Sequence, residues 1–207
     1  MASKGKVFLV DDDPAVQRGV SALLKAADYA VTAFPSGDAF LDAISDLDLG
    51  GAVLLVDVRM PGIQGLELQE KLRADGVTLP VVVMTAHGDV PMAVRAMQNG
   101  AASFLEKPFT VDEVTAALDR ALDRSLAGGG AAGPAPEALT ARLETLTPRE
   151  REVMIEIVKG GANKEIARTL DVSPRTVEVH RQKVMTKMEA GSVAELVRMG
   201  LALGLIA

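Results

Sequence analysis

"VLLVDVRMPG", residues 53–62, places four consecutive apolar residues directly before Asp57 and a Met-Pro-Gly turn soon after it. A short apolar run bounded by a turn signal reads as a buried strand. A carboxylate at the end of such a strand leaves water at a cost unless a cation or a hydrogen-bond donor meets it. The stretch therefore predicts a strand whose C-terminal end is part of a site.

Four other runs have the same character: "KVFLV" (6–10), "AVTAF" (30–34), "VVVM" (81–84) and "SFL" (103–105). Helix-period patterns over 14–27, 36–46, 64–74 and 89–99 separate the strands, and another over 110–125 follows the last. Five βα units in succession predict an α/β fold, a doubly wound, five-stranded parallel sheet with right-handed crossovers. Such sheets place their site at the carboxyl ends of the strands, near the switch in strand order. The residues there are Asp11, Asp12 and Asp13 after the first run, Asp57 after the third, Thr85 after the fourth, and Lys107, behind Glu106, after the fifth. Carboxylates gathered this closely repel unless a cation joins them. Oxygen donors with room for water suit Mg²⁺. Asp13, directly before Pro14, also fits a helix N-cap with proline at the first helical position. His87 reads as the polar edge of a loop, and Met92 and Met97 read as helix packing.

The chain has 207 residues, no cysteine and a net charge of −6, so disulfides and cysteine-ligated metals are excluded. No signal peptide or membrane-length apolar run is evident, which predicts a cytoplasmic protein without membrane partners. Charge is unevenly spread: residues 1–126 carry −7, whereas residues 127–207 carry +1 and the segment 163–188 carries +3. Between the two halves, "SLAGGGAAGPAPEAL" (125–139) breaks every periodicity with its glycines and prolines. The expected organisation is a first domain over 1–125, a flexible linker over 126–139 and a second domain over 140–207.

In the second domain, Thr147, Pro148 and Glu150 form a capping-box pattern ahead of a helix ended by Gly160 and Gly161. Asn163 is expected to cap a short helix stopping at Asp171, and Ser173 a further one with Pro174 at its start. Two helices joined by a tight turn predict an all-α, helix-turn-helix domain. On the last of these helices, Val177, Val184 and Met188 fall together and are expected to face the core. The opposite face carries Glu178, Val179 and Gln182, types suited to cytosine, a thymine methyl and adenine respectively. Arg175, Lys183 and Lys187 are candidate phosphate contacts, with Thr176 near the helix start. "SVAELVRMGLALGLIA" (192–207) is apolar around most of its circumference, which predicts pairing with a second copy and a roughly palindromic double-stranded DNA site.

The motifs "VDDDP", "DVRMPG", "TAHGDV" and "LEKPF", in that order, resemble the flavodoxin-like receiver domain of bacterial two-component response regulators. "GDVPMAVRAMQNGA" is close to the FixJ-type subgroup. "LTPRE", "NKEIA" and "TVEVH" resemble the four-helix LuxR/NarL-type DNA-binding domain. The resemblance implies that Asp57 accepts a phosphoryl group from a sensor histidine kinase. It also implies that Asp12, Asp57 and the backbone carbonyl of Arg59 hold Mg²⁺, with Asp11 helping through water. Lys107 and Thr85 would bind phosphoryl oxygens, Phe104 would be the reorienting aromatic, and Lys107–Pro108 would be a cis peptide. The expected function is a response regulator rather than an enzyme: phosphorylation promotes homodimerisation and sequence-specific DNA binding, and RNA polymerase is a further partner. The receiver could restrain its output by covering the DNA-binding face or by withholding dimerisation. The competing reading is a phosphohydrolase with an aspartyl nucleophile. Such enzymes usually carry a second acid two residues after the nucleophile, where this chain has Arg59.

Overall fold

The computed structural model of the chain describes residues 3–86, 90–126 and 136–205. His87 and residues 127–135 of the expected linker lie outside the described residues. Contacts divide the chain into two compact units, one of residues 1–87 with 99–132 and the other of 88–98 with 133–207.

In the first unit, β1 (Gly5–Val10), β2 (Tyr29–Phe34), β3 (Ala52–Asp57), β4 (Val81–Thr85) and β5 (Ser103–Glu106) form one sheet in the order β2-β1-β3-β4-β5. Every recorded pairing is parallel. All six residues of β3 are buried, which explains why its sequence is a continuous apolar run rather than an alternating one. Its helices are α1 (Pro14–Ala26), α2 (Gly37–Ala43), α3 (Gly65–Ala74) and, after α4 (Val90–Gln98), which is grouped with the second unit, α5 (Val111–Leu126), with a short 3₁₀ turn at Ile44–Asp46. Alternation along the strands separates two packed layers. Val7, Leu9, Val53, Leu55, Val82 and Met84 pack with Val20 and Leu24 of α1 and with Val114, Leu118 and Leu122 of α5. On the other face Phe8 meets the rings of Phe34 and of Phe40 from α2, with centroids 6.3 and 5.9 Å away.

In the second unit, α6 (Pro136–Glu144), α7 (Pro148–Val158), α8 (Asn163–Thr169), α9 (Pro174–Met188) and α10 (Val193–Ala202) follow one another. Val153, Met154, Ile157 and Val158 of α7 are fully buried, as are Val177, Val184 and Met188 of α9 and Leu196 and Val197 of α10. The phase read from the sequence for α9 is the phase it adopts. Two expectations shift. Asn163 is the first residue of α8 and Ala162 its N-cap; the Ala162 N–H is met by Glu165 at 2.9 Å, while the Asn163 side chain accepts from Arg181. The apolar surplus of α10 is largely absorbed within the chain: Ala194, Leu196, Val197, Met199 and Gly200 are all buried. Gly200 makes the close approach possible, because a Cβ there would stand 2.5 Å from Val158 Cγ1.

An ion pair between a buried carboxylate and a half-buried lysine fastens α7 to α9. Glu150 accepts from Lys187 Nζ at 2.6 Å and from the Thr147 N–H at 2.9 Å, so one carboxylate closes the capping box and binds the neighbouring helix. Lys187, and then the Thr147 amide, hold the Glu150 carboxyl at about 2, below its ordinary 4.5. A lowered pKa contributes stability that is fully present above 4.5 and is lost as pH falls through 2. Glu150→Gln should cost the second unit about 1–3 kcal/mol at neutral pH. It should also remove part of the loss of stability below pH 4.5, as read from thermal unfolding at α7 amides by NMR.

Candidate functional sites

The first site lies where the sheet topology reverses, at the carboxyl ends of β1 and β3. Val10 pairs with Val56, so Asp11 and Asp57 leave the two strands side by side. Lys107 arrives from the end of β5 and donates to both, at 2.7 Å to Asp11 Oδ2 and 2.6 Å to Asp57 Oδ1. The Lys107–Pro108 peptide is cis. The second Asp57 oxygen accepts from the Arg59 N–H at 2.7 Å. Asp11 is 1% exposed, Asp57 7% and Thr85 1%.

These contacts do not satisfy Asp57 fully. Burial raises its pKa, and the neighbouring Asp11 charge adds to the rise, against the lowering effects of Lys107 and the Arg59 amide. Burial would lower the pKa of Lys107, but hydrogen bonds and charge from Asp11 and Asp57 outweigh it and the net shift is upward. The ammonium therefore stays charged, while one cation is shared between two carboxylates.

The remaining candidates take different places. Asp12 is exposed, and Asp13 caps α1 by accepting from the Ala15 N–H at 2.7 Å. Among the described residues no three acidic, histidine or cysteine side chains are grouped at metal-holding spacing. The pocket's oxygen donors are the Asp11 and Asp57 carboxylates, with Asp12 and the Arg59 carbonyl beside them in sequence. By strand alternation Thr85 and Phe104 face the same side of the sheet, and Phe104 pairs with Val83, two residues before Thr85. Thr85 O accepts from the Lys107 N–H at 2.7 Å, which ties the fourth strand to the lysine.

Two residues that support the pocket carry no evident motif. Gln17 of α1 donates to the Asp11 carbonyl at 2.6 Å and to the Phe34 carbonyl at 2.9 Å, holding the ends of β1 and β2 together. At Gly65, a Cβ would stand 2.2 Å from the Asp57 carbonyl oxygen, so α3 can start against the strand end only without a side chain. A glycine opening a helical pattern after the turn at Gly62 was the available signal.

The second candidate site is the exposed face of α9. Arg175, Glu178, Val179, Gln182 and Lys183 are exposed and Thr176 is half-buried. Arg175 pairs with Glu178 at 3.0 Å. Val179 is 43% exposed, unusual for a large apolar residue in this chain. Ser173 caps the helix by accepting from the Thr176 N–H at 3.1 Å. Lys187 stands apart from the other six, since its ammonium binds Glu150 and the Thr145 carbonyl. Arg181, outside the sequence-predicted set, is half-buried and donates to Asn163 Oδ1 at 3.1 Å.

Because the Asp57 pKa is raised above its usual 3.8, the stability it contributes is present below that value and lost as pH rises. Ionised Asp57 thus opposes folding at neutral pH. In magnesium-free buffer at pH 7, Asp57→Asn should raise the melting midpoint by about 2–4 °C. Gly65→Ala should act oppositely, costing about 1–3 kcal/mol in urea denaturation.

Two family models match the chain: the response regulator receiver domain over residues 7–119 and the luxR family of bacterial regulatory proteins over residues 144–200. The transcriptional regulatory protein FixJ of Bradyrhizobium diazoefficiens is 44% identical over 206 residues, spanning 100% of this chain and 99% of that protein. The tetrathionate response regulatory protein TtrR of Salmonella typhimurium is 44% identical over 192 residues, spanning 93% and 90% of the two chains. The crystal structure of full-length FixJ from B. japonicum matches with a TM-score of 0.56 at 43% identity, covering 99% of this chain and all of the other. The chain belongs to the FixJ-type two-component response regulators, in which a receiver domain is joined to a LuxR-type DNA-binding domain that controls transcription.

Proposed function

We propose that Asp57 is the phosphoryl acceptor and that its charge state governs DNA binding by α9. The observation that carries this reading is the Lys107 bridge, 2.6 Å from Asp57 and 2.7 Å from Asp11. Phosphoryl transfer depends on positioning and charge neutralisation more than on covalent assistance. A fixed ammonium beside the nucleophilic oxygen supplies both. In the transfer, an Asp57 oxygen bonds to phosphorus and the bond from phosphorus to the kinase histidine nitrogen breaks. Among the described residues Asp57 Oδ1 accepts from Lys107 and Oδ2 from the Arg59 N–H, which leaves lone pairs for attack. Receiver domains generally bind Mg²⁺ at this acidic pocket. The donor set fits a hard cation, with Asp11, Asp12, Asp57 and the Arg59 carbonyl as its holders, and the cation would neutralise phosphoryl oxygens. Lys107 then pairs with the new phosphoryl group, Thr85 bonds to one of its oxygens, and Phe104 follows Thr85 inward.

The acyl phosphate adds about one to two negative charges at the sheet edge. We place the response in homodimerisation, which sets two copies of α9 against a roughly palindromic duplex, with RNA polymerase engaged downstream. Glu178, Val179 and Gln182 read bases, while Arg175, Thr176 and Lys183 hold phosphates. Lys187 acts first through Glu150 and contributes to DNA through helix position. The receiver occupies residues 1–125, residues 126–139 connect, and the DNA-binding domain spans 140–207, with α6 starting inside the connecting stretch. The protein works in the cytoplasm; no helix among the described residues is long and apolar enough to cross a membrane.

Incubation with acetyl phosphate and magnesium should give one phosphoryl adduct by intact mass, mapping to Asp57 and absent from Asp57→Asn. An adduct elsewhere removes Asp57 from this role. Sedimentation of wild type should show phosphodonor-dependent dimers that Asp57→Asn lacks. On DNA, Lys183→Ala should weaken binding to all sequences and reduce the salt slope by about 1. Gln182→Ala should instead relax preference at one base pair, at a cost of about 1–3 kcal/mol.

A further inference from the structure

We propose that Arg142 of α6 is a positioning residue for the recognition helix, closing the C-terminal end of α9 and fixing the face that α9 offers to DNA. The proposal rests on the DNA-binding reading and extends it to a helix almost wholly upstream of the luxR family match, which begins at residue 144.

Leu139, Leu143 and Leu146 recur at helical spacing and are 4%, 8% and 8% exposed, so α6 and the turn after it are packed along one side. Arg142 lies beside this stripe. Its Nη1 donates to the Met188 carbonyl at 3.2 Å, and its Nη2 binds the Glu189 carboxylate. The link is reciprocal, because Lys187 Nζ donates to the Thr145 carbonyl at 3.0 Å. Residues 142–145 and 187–189 therefore hold one another from both sides.

The end of α9 explains why a guanidinium suits this position. The last carbonyls of a helix have no partner within it. Here the main chain serves two of them: Ala190 N–H donates to Met185 at 2.9 Å and Glu189 N–H to Thr186 at 3.1 Å. Met188 is served by Arg142, whose charge also complements the negative end of the helix dipole. Glu189 itself stands at φ 54° and ψ 39°, the left-handed conformation that glycine adopts with less strain. The chain carries glutamate there, and its carboxylate reaches Arg142. A side chain kept at the expense of backbone comfort indicates that the contact has a use beyond ending the helix. Glu178, Val179 and Gln182 lie in the preceding turns of the same rigid helix, so its angle sets where they meet a base edge.

The test uses the full chain treated with acetyl phosphate and magnesium. One probe is the duplex that wild type enriches from a randomised library, and the other is its scrambled counterpart. Arg142→Ala should weaken the enriched duplex about tenfold, the effect of one charge-assisted hydrogen bond, and leave the scrambled duplex unchanged. Arg142→Lys should recover part of the loss, since an ammonium caps the Met188 carbonyl without forking to Glu189. Glu189→Gly, which relieves the backbone, should still reduce discrimination. Wild-type discrimination in Arg142→Ala or in Glu189→Gly overturns the proposal. So does an equal loss on both duplexes, the signature of a general folding defect. If wild type enriches no duplex, the DNA-binding reading itself fails and this proposal falls with it.

Discussion

One ammonium between two carboxylates is the constraint on which the first unit turns. Asp11 and Asp57 end adjacent parallel strands in matched register, and only a cation allows both to remain there ionised. That cation comes from Lys107, 50 residues beyond Asp57 and at the far side of β4. The pocket therefore exists only when β3, β4 and β5 are assembled in order. Gln17 and Gly65 serve the same arrangement from the helices: one ties the Asp11 backbone to β2, and the other lets α3 start against Asp57.

Each unit buries a carboxylate and brings a lysine to it from far along the chain, yet the two pairs are balanced differently. Glu150 has Lys187 as its partner together with a main-chain donor, and its carboxyl is held well below the ordinary range. Asp57 must share Lys107 with Asp11, and its carboxyl is raised. The first arrangement serves stability, since ionisation strengthens the contact between α7 and α9. The second sacrifices stability to hold an ionised carboxylate in a largely buried pocket, the balance expected of the proposed phosphoryl acceptor. Such local conflicts are expected at functional positions and not at purely structural ones.

Much of the fold is legible because its central strands β1, β3 and β4 are mostly buried on both faces and its helices carry ordinary start signals. "VLLVD" could be read as a strand because every residue in it is covered, and Thr147 with Glu150 announced α7 through the capping box that forms. The convergence of Asp11, Asp57 and Lys107 followed once the strand ends were placed in one sheet. What escaped depends on contacts across the chain. Lys187 looks like any cation on an exposed helical face, and nothing local reveals that Glu150 lies opposite it. Asn163 matches a cap, but its side chain is drawn to Arg181, 18 residues away. The first turn of α6 falls within a stretch whose glycines and prolines signal a linker, and the leucine stripe that holds it is completed only beyond that stretch.

The recognition helix is fastened at its start by Ser173, along its inner side by Val177, Val184 and Met188, and at its end by Arg142. None of these anchors is among the outward-facing residues at 178, 179 and 182. Exchange of those three side chains leaves caps and core intact, so if they read bases as proposed, descendants of this chain can acquire new promoter vocabularies while inheriting an unchanged scaffold.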